Sequence, residues 1–175
     1  KNSISLKNFY IRRIRRVVPA LFFVVIVSIY PAYKLLFPFT FKEFGQSLIG
    51  VSMFIPNIIF FVQGGYFAEP ESLKPLLHTW SLGIEEQFYF FFPIFLIFLW
   101  SFIKRNILIP LIIVFLITLI ISNDLSDGLF TKANFFLPIT RIWELMAGSI
   151  AAYYMIFLNK AELVKGNNFL SLTGF

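Results

Sequence analysis

The chain has 175 residues, of which 58% are hydrophobic and 14% are charged. A soluble domain of this size is about half apolar and needs a charged surface, so this composition excludes an ordinary soluble domain. The chain has no cysteine and one histidine, which excludes disulfides and thiolate chemistry within it and argues against a metal site. Although the net charge is +6, the basic residues flank apolar runs, so nucleic acid is not an expected partner.

The apolar runs predict an all-α fold, a polytopic transmembrane helix bundle with about five membrane segments. No internal repeat or low-complexity linker interrupts the chain, so residues 1–175 are expected to be part of one transmembrane domain that is truncated at both ends. In chain order, the segments are expected at residues 17–37, 44–61, 79–103, 107–122 and 135–158.

The second segment is expected to be re-entrant. The positive-inside rule places the basic clusters 12–16, 104–105 and 160–165 on the cytoplasmic side. Five full crossings cannot satisfy all three placements. The segment 44–61 is short and broken by Pro56-Asn57, and a broken backbone at membrane depth is tolerated where protein satisfies it. A segment that enters and leaves on one side resolves the conflict.

The third segment begins with two adjacent carboxylates, although a charge at membrane depth costs about 2.5–3.5 kcal/mol. Glu85 lies four residues after Ser81 and four before Tyr89, so the three share one helix face. Inside a helix bundle, Glu85 could act as an acid, as a base or as the partner of a cation. The alternative is a structural hydrogen bond or an interfacial carboxylate. Glu86 points about 100° away and is expected at the membrane interface.

Four further polar or aromatic residues are candidates. His78 could be a proton shuttle, a ligand contact or only an interfacial anchor, and Trp80 suits an aromatic belt. Arg141 and Glu144 are spaced to share a helix face. They form either an intrahelical ion pair or a site in which Glu144 orients Arg141 toward an anionic ligand.

The basic cluster contains Arg12, Arg13, Arg15 and Arg16. Such a cluster is most often a topology signal and an anchor to lipid phosphates. Guanidinium groups also bind phosphate in fork geometry, and Arg12, Arg15 and Arg16 would share one helix face. The cluster could therefore hold the phosphates of a cytosolic cofactor instead.

Three motifs together resemble the type three family of integral-membrane acyltransferases, which includes bacterial O-antigen and peptidoglycan O-acetyltransferases. Residues 9–21 resemble the basic start of the family's third helix, residues 78–89 its most distinctive signature, and Arg141-Ile142-Trp143-Glu144 a later motif. The family's catalysis is attributed to a histidine on the first helix, which these residues do not include.

The resemblance implies a multi-pass O-acyltransferase of the bacterial inner membrane. It implies transfer of an acyl group, expected to be acetyl, from cytosolic acyl-CoA to a hydroxyl of a cell-envelope glycan or lipid-linked sugar, without a metal. By the same resemblance, Glu85 is the catalytic candidate, and the bilayer, acyl-CoA and the acceptor are the partners. The candidates for substrate binding are Arg12, Arg13, Arg15, Arg16, His78, Trp80, Ser81, Tyr89, Arg141 and Glu144.

Two alternatives remain open. In a transporter or flippase, Glu85 and Arg141 would bind a translocating solute or lipid-linked sugar. In a membrane anchor without chemistry, each polar group would be a helix contact. Transport predicts flux without acyl-CoA, whereas an anchor predicts that Glu85→Gln affects only stability.

Overall fold

The structure, a computed structural model, describes residues 5–64, 73–103, 106–126 and 130–157. Within these ranges the chain is helical and forms no strand, which confirms the all-α class. A 3₁₀ turn at Pro138–Thr140 precedes the last helix. The helices are α1 (Leu6–Leu35), α2 (Pro38–Ser52), α3 (Pro56–Gln63), α4 (Thr79–Phe102), α5 (Leu108–Asp124), α6 (Thr131–Phe136) and α7 (Ile142–Phe157).

Among the described residues, α1 and α4 are long and apolar enough to cross a membrane, and α5 is a shorter apolar helix. Only 11% of the most apolar stretch of α1 and 22% of that of α4 are buried. These helices therefore present apolar surface outward, as helices in lipid do. Membrane association is supported, whereas the expected number of about five segments is not confirmed.

Helix α1 begins earlier than the sequence predicted. Ser5 accepts a hydrogen bond from the backbone N–H of Asn8 at 3.4 Å and caps a helix that starts at Leu6. The Arg cluster therefore lies within α1 and not in a polar segment before it. Pro19, near the start of the expected segment 17–37, lies inside the helix together with Pro31.

Helices α2 and α3 form a helical hairpin. The chain reverses at Phe54, which adopts a left-handed φ of 57°, and Pro56 starts α3 because proline suits a first turn. At the other end, Nε2 of Gln63 donates to the carbonyl of Glu43 at 3.0 Å and to Oε1 of Gln46 at 3.1 Å. Both ends of the segment thus lie together. The predicted break is confirmed, and its re-entry into a bilayer stays a prediction.

Helices α1 and α4 run antiparallel. The hydroxyl of Tyr10 donates to the carbonyl of Phe90 at 2.8 Å, and Arg13, farther along α1, contacts Glu86, which comes earlier in α4. Residues 10–13 of α1 therefore lie beside residues 86–90, in the middle of α4, and we call the part of the bundle around the start of α1 the Arg end. The placement of 12–16, 104–105 and 160–165 on one side stays a prediction, because residues 104–105 and 160–165 lie outside the described residues.

The opposite end, which we call the loop end, holds the open end of the hairpin. Nζ of Lys74 lies 3.9 Å from Oε2 of Glu43 and donates to the carbonyl of Gln63 at 3.5 Å. Lys132 of α6 donates to the last carbonyls of α3, those of Phe61 and Gly64, which a helix C-terminus favours. Burial lowers the pKa of Lys132, and the charge of Lys74 lowers it further.

The fifth predicted segment, 135–158, is interrupted. Pro138 starts the 3₁₀ turn, and the preceding Leu137 is extended at ψ 138°, as the residue before a proline prefers. Helix α7 begins only at Ile142. Arg141 therefore lies in the connection before α7, and Glu144 lies in its first turn.

The helices enclose two apolar cores. One packs α1, the hairpin and α6 together, and the other packs α4 against α5 and α7. The buried side chains of the first are Leu21, Ala32, Phe44, Val51, Phe60, Leu76 and Phe136. Those of the second are Phe88, Leu99, Ile107, Leu111 and Met146.

Candidate functional site

A cleft of 480 Å³ lies between α1, the turn of the hairpin and α4. We call it the Arg13 cleft, and we call residues 53–55 the hairpin tip. All three elements contribute side chains because α1 crosses α4 beside the place where the hairpin reverses. The residues important for the argument are Arg13, Met53, Phe54, Glu86, Gln87 and Tyr89.

Arg13 and Glu86 form a two-point ion pair in this cleft. Nε of Arg13 donates to Oε2 of Glu86 at 3.0 Å, and Nη2 lies 2.8 Å from Oε1. The guanidinium carbon lies 3.4 Å from the ring centroid of Tyr89. The two charged side chains are only 19% and 14% exposed. Because a guanidinium has five N–H donors, the Nη1 group of this oriented cation can still bind an anion.

The other three arginines lie on a different part of α1. Arg12, Arg15 and Arg16 are exposed, whereas Arg13 is half-buried. Their exposed positions suit contacts with lipid phosphates or with the outer part of a charged ligand. The shared face of Arg12, Arg15 and Arg16 agrees with their helical spacing, but the arginine in the cleft is Arg13, which the sequence analysis did not single out.

The two carboxylates of α4, Glu85 and Glu86, lie in different surroundings from those that the sequence favoured. Glu86, expected at the interface, is paired with Arg13 in the cleft, because the packing of α1 determines which face of α4 is covered. Glu85, for which the sequence left open a place inside the bundle or at the interface, has an exposed side chain. It lies one turn before Tyr89 on the same face, and its catalytic role stays a prediction.

Two amide side chains that the sequence analysis did not select hold the hairpin tip. Nε2 of Gln87 donates to the carbonyl of Phe54 at 2.9 Å and to Oδ1 of Asn57 at 2.8 Å. Asn57 is fully buried, and its Nδ2 donates to the carbonyl of Phe136 at 3.1 Å. Both amides stand within apolar runs of the sequence, where a buried polar group needs a hydrogen-bond partner, and this pattern could have identified them.

A second cluster lies at the loop end, around Arg141. Its guanidinium carbon is 5.5 Å from the Trp80 ring and 5.4 Å from that of Phe135, within cation–π distance. The two rings lie 4.3 Å apart. Nη1 of Arg141 pairs with Oε1 of Glu144 at 2.5 Å. The i, i+3 ion pair is present, although Arg141 precedes α7, and anion binding by Arg141 stays a prediction.

The remaining candidates also lie toward the loop end. His78 is exposed and directly precedes α4. The hydroxyl of Ser81 donates to the His78 carbonyl at 3.3 Å. The structure thus brings Arg13 and Tyr89 together in the cleft and places Trp80 beside Arg141. In the part of the chain that the structure describes, no three His, Asp or Glu side chains are grouped as metal ligands would be.

Comparison with known proteins gives two informative relatives. A Haemophilus influenzae protein described as uncharacterized is 32% identical over 98% of this chain and 73% of its own length. O-acetyltransferase OatA of Staphylococcus aureus is 33% identical over 86% of this chain, but the chain spans only 25% of OatA. No family model and no solved structure matches the chain. The OatA match suggests an acyltransferase-like family, and by its longer match this chain belongs to the same family as the H. influenzae protein.

Proposed function

We propose that the protein is a multi-pass O-acyltransferase of the bacterial inner membrane. It moves an acyl group, expected to be acetyl, from cytosolic acyl-CoA to a hydroxyl of an envelope glycan or lipid-linked sugar. The observation that carries the proposal is the Arg13–Glu86 pair, which lies over Tyr89 in a cleft at the Arg end. The similarity to OatA supports the O-acetyltransferase kind of function.

Acyl-CoA is the proposed donor because it is a polyanion with a reactive thioester. Glu86 orients Arg13, which can then bind a phosphate or the thioester oxygen through its free Nη1 group. Arg12, Arg15 and Arg16 are exposed on the neighbouring turns. They would attract the donor phosphates toward the cleft. No metal is required for this binding.

Acyl transfer requires a base that removes the proton of the acceptor hydroxyl while its oxygen attacks the thioester carbonyl and the CoA thiolate leaves. Glu85 is the proposed catalytic carboxylate, because it lies on the Tyr89 face of α4 and is exposed to an incoming substrate. Correct placement of the two substrates contributes to the rate as well.

The acceptor is proposed to approach from the loop end. There Trp80 and Arg141 combine an aromatic surface with a cation, and Glu144 fixes the guanidinium. His78 and Ser81 lie at the start of the same helix. Such groups can bind sugar hydroxyls by hydrogen bonds and a sugar ring by stacking.

The proposal is tested with membrane vesicles from cells that produce the full-length protein. Acetyl-CoA labelled in its acetyl group is supplied to the cytoplasmic face, and alkali-labile label is measured on the extracted glycan. We expect labelled glycan in vesicles from cells that carry the gene and none in vesicles from a deletion strain, which serve as the control. Lack of gene-dependent label would contradict the proposal, and sugar or lipid-linked sugar movement without acyl-CoA would indicate a transporter.

A further inference from the structure

The hairpin tip forms one wall of the Arg13 cleft and has an irregular backbone. Met53, Phe54 and Ile55 line the cleft between the end of α2 and the start of α3. A helix end leaves carbonyls without helical partners, and such groups are costly away from water. Phe54 also adopts the left-handed φ of 57°, which a bulky residue rarely adopts. The tip therefore needs support from another element.

Gln87 of α4 provides this support with both N–H groups of its amide. One donates to the carbonyl of Phe54 at 2.9 Å and the other to Oδ1 of Asn57 at 2.8 Å. The two donors of a glutamine amide are then used. Gln87 consequently holds protein groups, and these N–H groups are not available to a substrate.

The support continues to α6 through a buried side chain. Asn57 has no exposed surface, and its Nδ2 donates to the carbonyl of Phe136 at 3.1 Å. The hydrogen bonds therefore connect α4, the hairpin and α6 in one chain. Removal of a partner would leave such a buried polar group unsatisfied, which is unfavourable.

The hairpin also packs closely against Gly83, which lies one turn before Gln87 on α4. A Cβ atom at Gly83 would lie 2.7 Å from Cδ of Pro56 and 3.0 Å from Oδ1 of Asn57. Gly83 and Gln87 share one face of α4 because they are four residues apart. The glycine thus permits the approach that lets the amide of Gln87 reach the hairpin tip.

Gln87 also lies between two cavities. It lines the Arg13 cleft and, together with Phe91, an apolar cavity of 320 Å³ between α4, α5 and α7. If the hairpin tip moved away from Gln87, the Arg13 cleft would therefore change shape where it meets the apolar cavity.

We propose that Gln87 is a positioning residue, which holds the hairpin tip as a wall of the Arg13 cleft and so fixes the donor for acyl transfer. The catalytic part of this inference rests on the proposed function, whereas the holding of the tip does not. Two measurements separate these parts.

The first measurement follows the tip directly. Met53 is 64% exposed and these 175 residues contain no cysteine. Met53→Cys is therefore the single labelling site of the full-length protein once any cysteine outside these residues has been replaced by serine. Gln87→Leu removes both donors at similar volume and should raise the rate of maleimide labelling in membranes severalfold. Gln46→Leu, the same change on an exposed residue near the opposite end of the hairpin, should leave the rate unchanged. Equal rates in all three proteins would overturn the inference.

The second measurement follows acyl transfer in proteins with the native Met53. Gln87→Leu should lower kcat by up to about 100-fold because a small displacement of reacting groups can have that effect. The KM for acyl-CoA should stay near the wild-type value, since the Arg13–Glu86 pair is intact. An unchanged kcat would overturn the catalytic part. If Gln87→Leu does not accumulate, Gln87→Glu, which donates nothing when ionised, replaces it in both measurements.

Lack of acyl transfer by the wild-type protein would contradict the proposed function and, with it, the catalytic part. Faster labelling of Met53→Cys in the Gln87→Leu background would in that case still establish that Gln87 holds the tip.

Discussion

Arg13 and Glu86 join α1 to α4 through two contacts, one at 3.0 Å between Nε and Oε2 and one at 2.8 Å between Nη2 and Oε1. Tyr89, one turn along α4, covers the face of the guanidinium. The cation is thereby fixed in position and orientation, which a flexible surface arginine is not. Because α1 and α4 both pass through the apolar part of the bundle, the pair also satisfies two charges that would be costly separately.

We expect Arg13→Lys to reduce kcat/KM for acyl-CoA by about 10–100-fold, the equivalent of one charge-assisted hydrogen bond. Lysine keeps the positive charge but loses the fork and the stacked plane. Arg16→Lys is the matched control, because Arg16 is exposed on the same helix. Initial rates of labelled ester formation over a range of acyl-CoA concentrations provide the measurement. Equal effects at both positions would mean that the cleft does not bind the donor.

We expect substitutions of Glu85 and Glu86 to change different kinetic parameters. Glu85→Gln should lower kcat by about 10²–10⁴-fold, the usual contribution of a general acid or base. Glu86→Gln should mainly raise the KM for acyl-CoA, because it leaves Arg13 without its anionic partner. Protein levels in the membrane serve as the control for folding. Full activity of Glu85→Gln would remove this residue from the mechanism.

We expect Gly83→Ala to destabilise the bundle by about 1–3 kcal/mol through overpacking. The added methyl group would lie 2.7 Å from Cδ of Pro56, whereas nothing lies within 4 Å of a Cβ at Gly148. Gly148→Ala is therefore the control and should be neutral or stabilising, since alanine favours a helix. Thermal unfolding of the purified full-length protein in detergent measures both. Equal shifts in the melting temperature would show that α4 does not approach the hairpin so closely.

Helix α4 was predictable because its signal is local. A continuous apolar run after a polar loop gave boundaries of 79–103, close to the observed Thr79–Phe102. The start of α1 was missed because four arginines resemble a polar loop, although a helix with a Ser5 cap can carry them. The break before α7 was not predicted, although Pro138 lacks the backbone N–H that a continuous helix needs.

The candidate site was less predictable because its contacts are distant in sequence. Helical spacing groups Arg12, Arg15 and Arg16 on one face, but the contact with Glu86 of α4 shows that Arg13 is the arginine held in the cleft. The pairing of Gln87 with Asn57 likewise depends on how the hairpin folds back. The i, i+3 pair of Arg141 and Glu144 was predictable because its partners are close in sequence, although Arg141 lies just before α7 and not within it.

The topology of the hairpin can be tested with single cysteines in the full-length protein. Lys42 lies in α2 next to Glu43, to which Gln63 returns, and His78 immediately precedes α4. Both residues are exposed. If the hairpin enters and leaves the bilayer on one side, a membrane-impermeant maleimide should label Lys42→Cys and His78→Cys from the same, extracytoplasmic side.

Lys7→Cys supplies the opposite reference, because Lys7 is exposed in the first turn of α1 at the Arg end. It should be labelled only from the cytoplasmic side, where the positive-inside rule places the Arg cluster. Labelling of Lys42→Cys and His78→Cys from opposite sides would mean that α2 and α3 together cross the membrane. In that case α4 would run in the same direction as α1, contrary to the order of the Tyr10–Phe90 and Arg13–Glu86 contacts. The labelling pattern therefore tests the hairpin and the antiparallel pairing of α1 with α4 together.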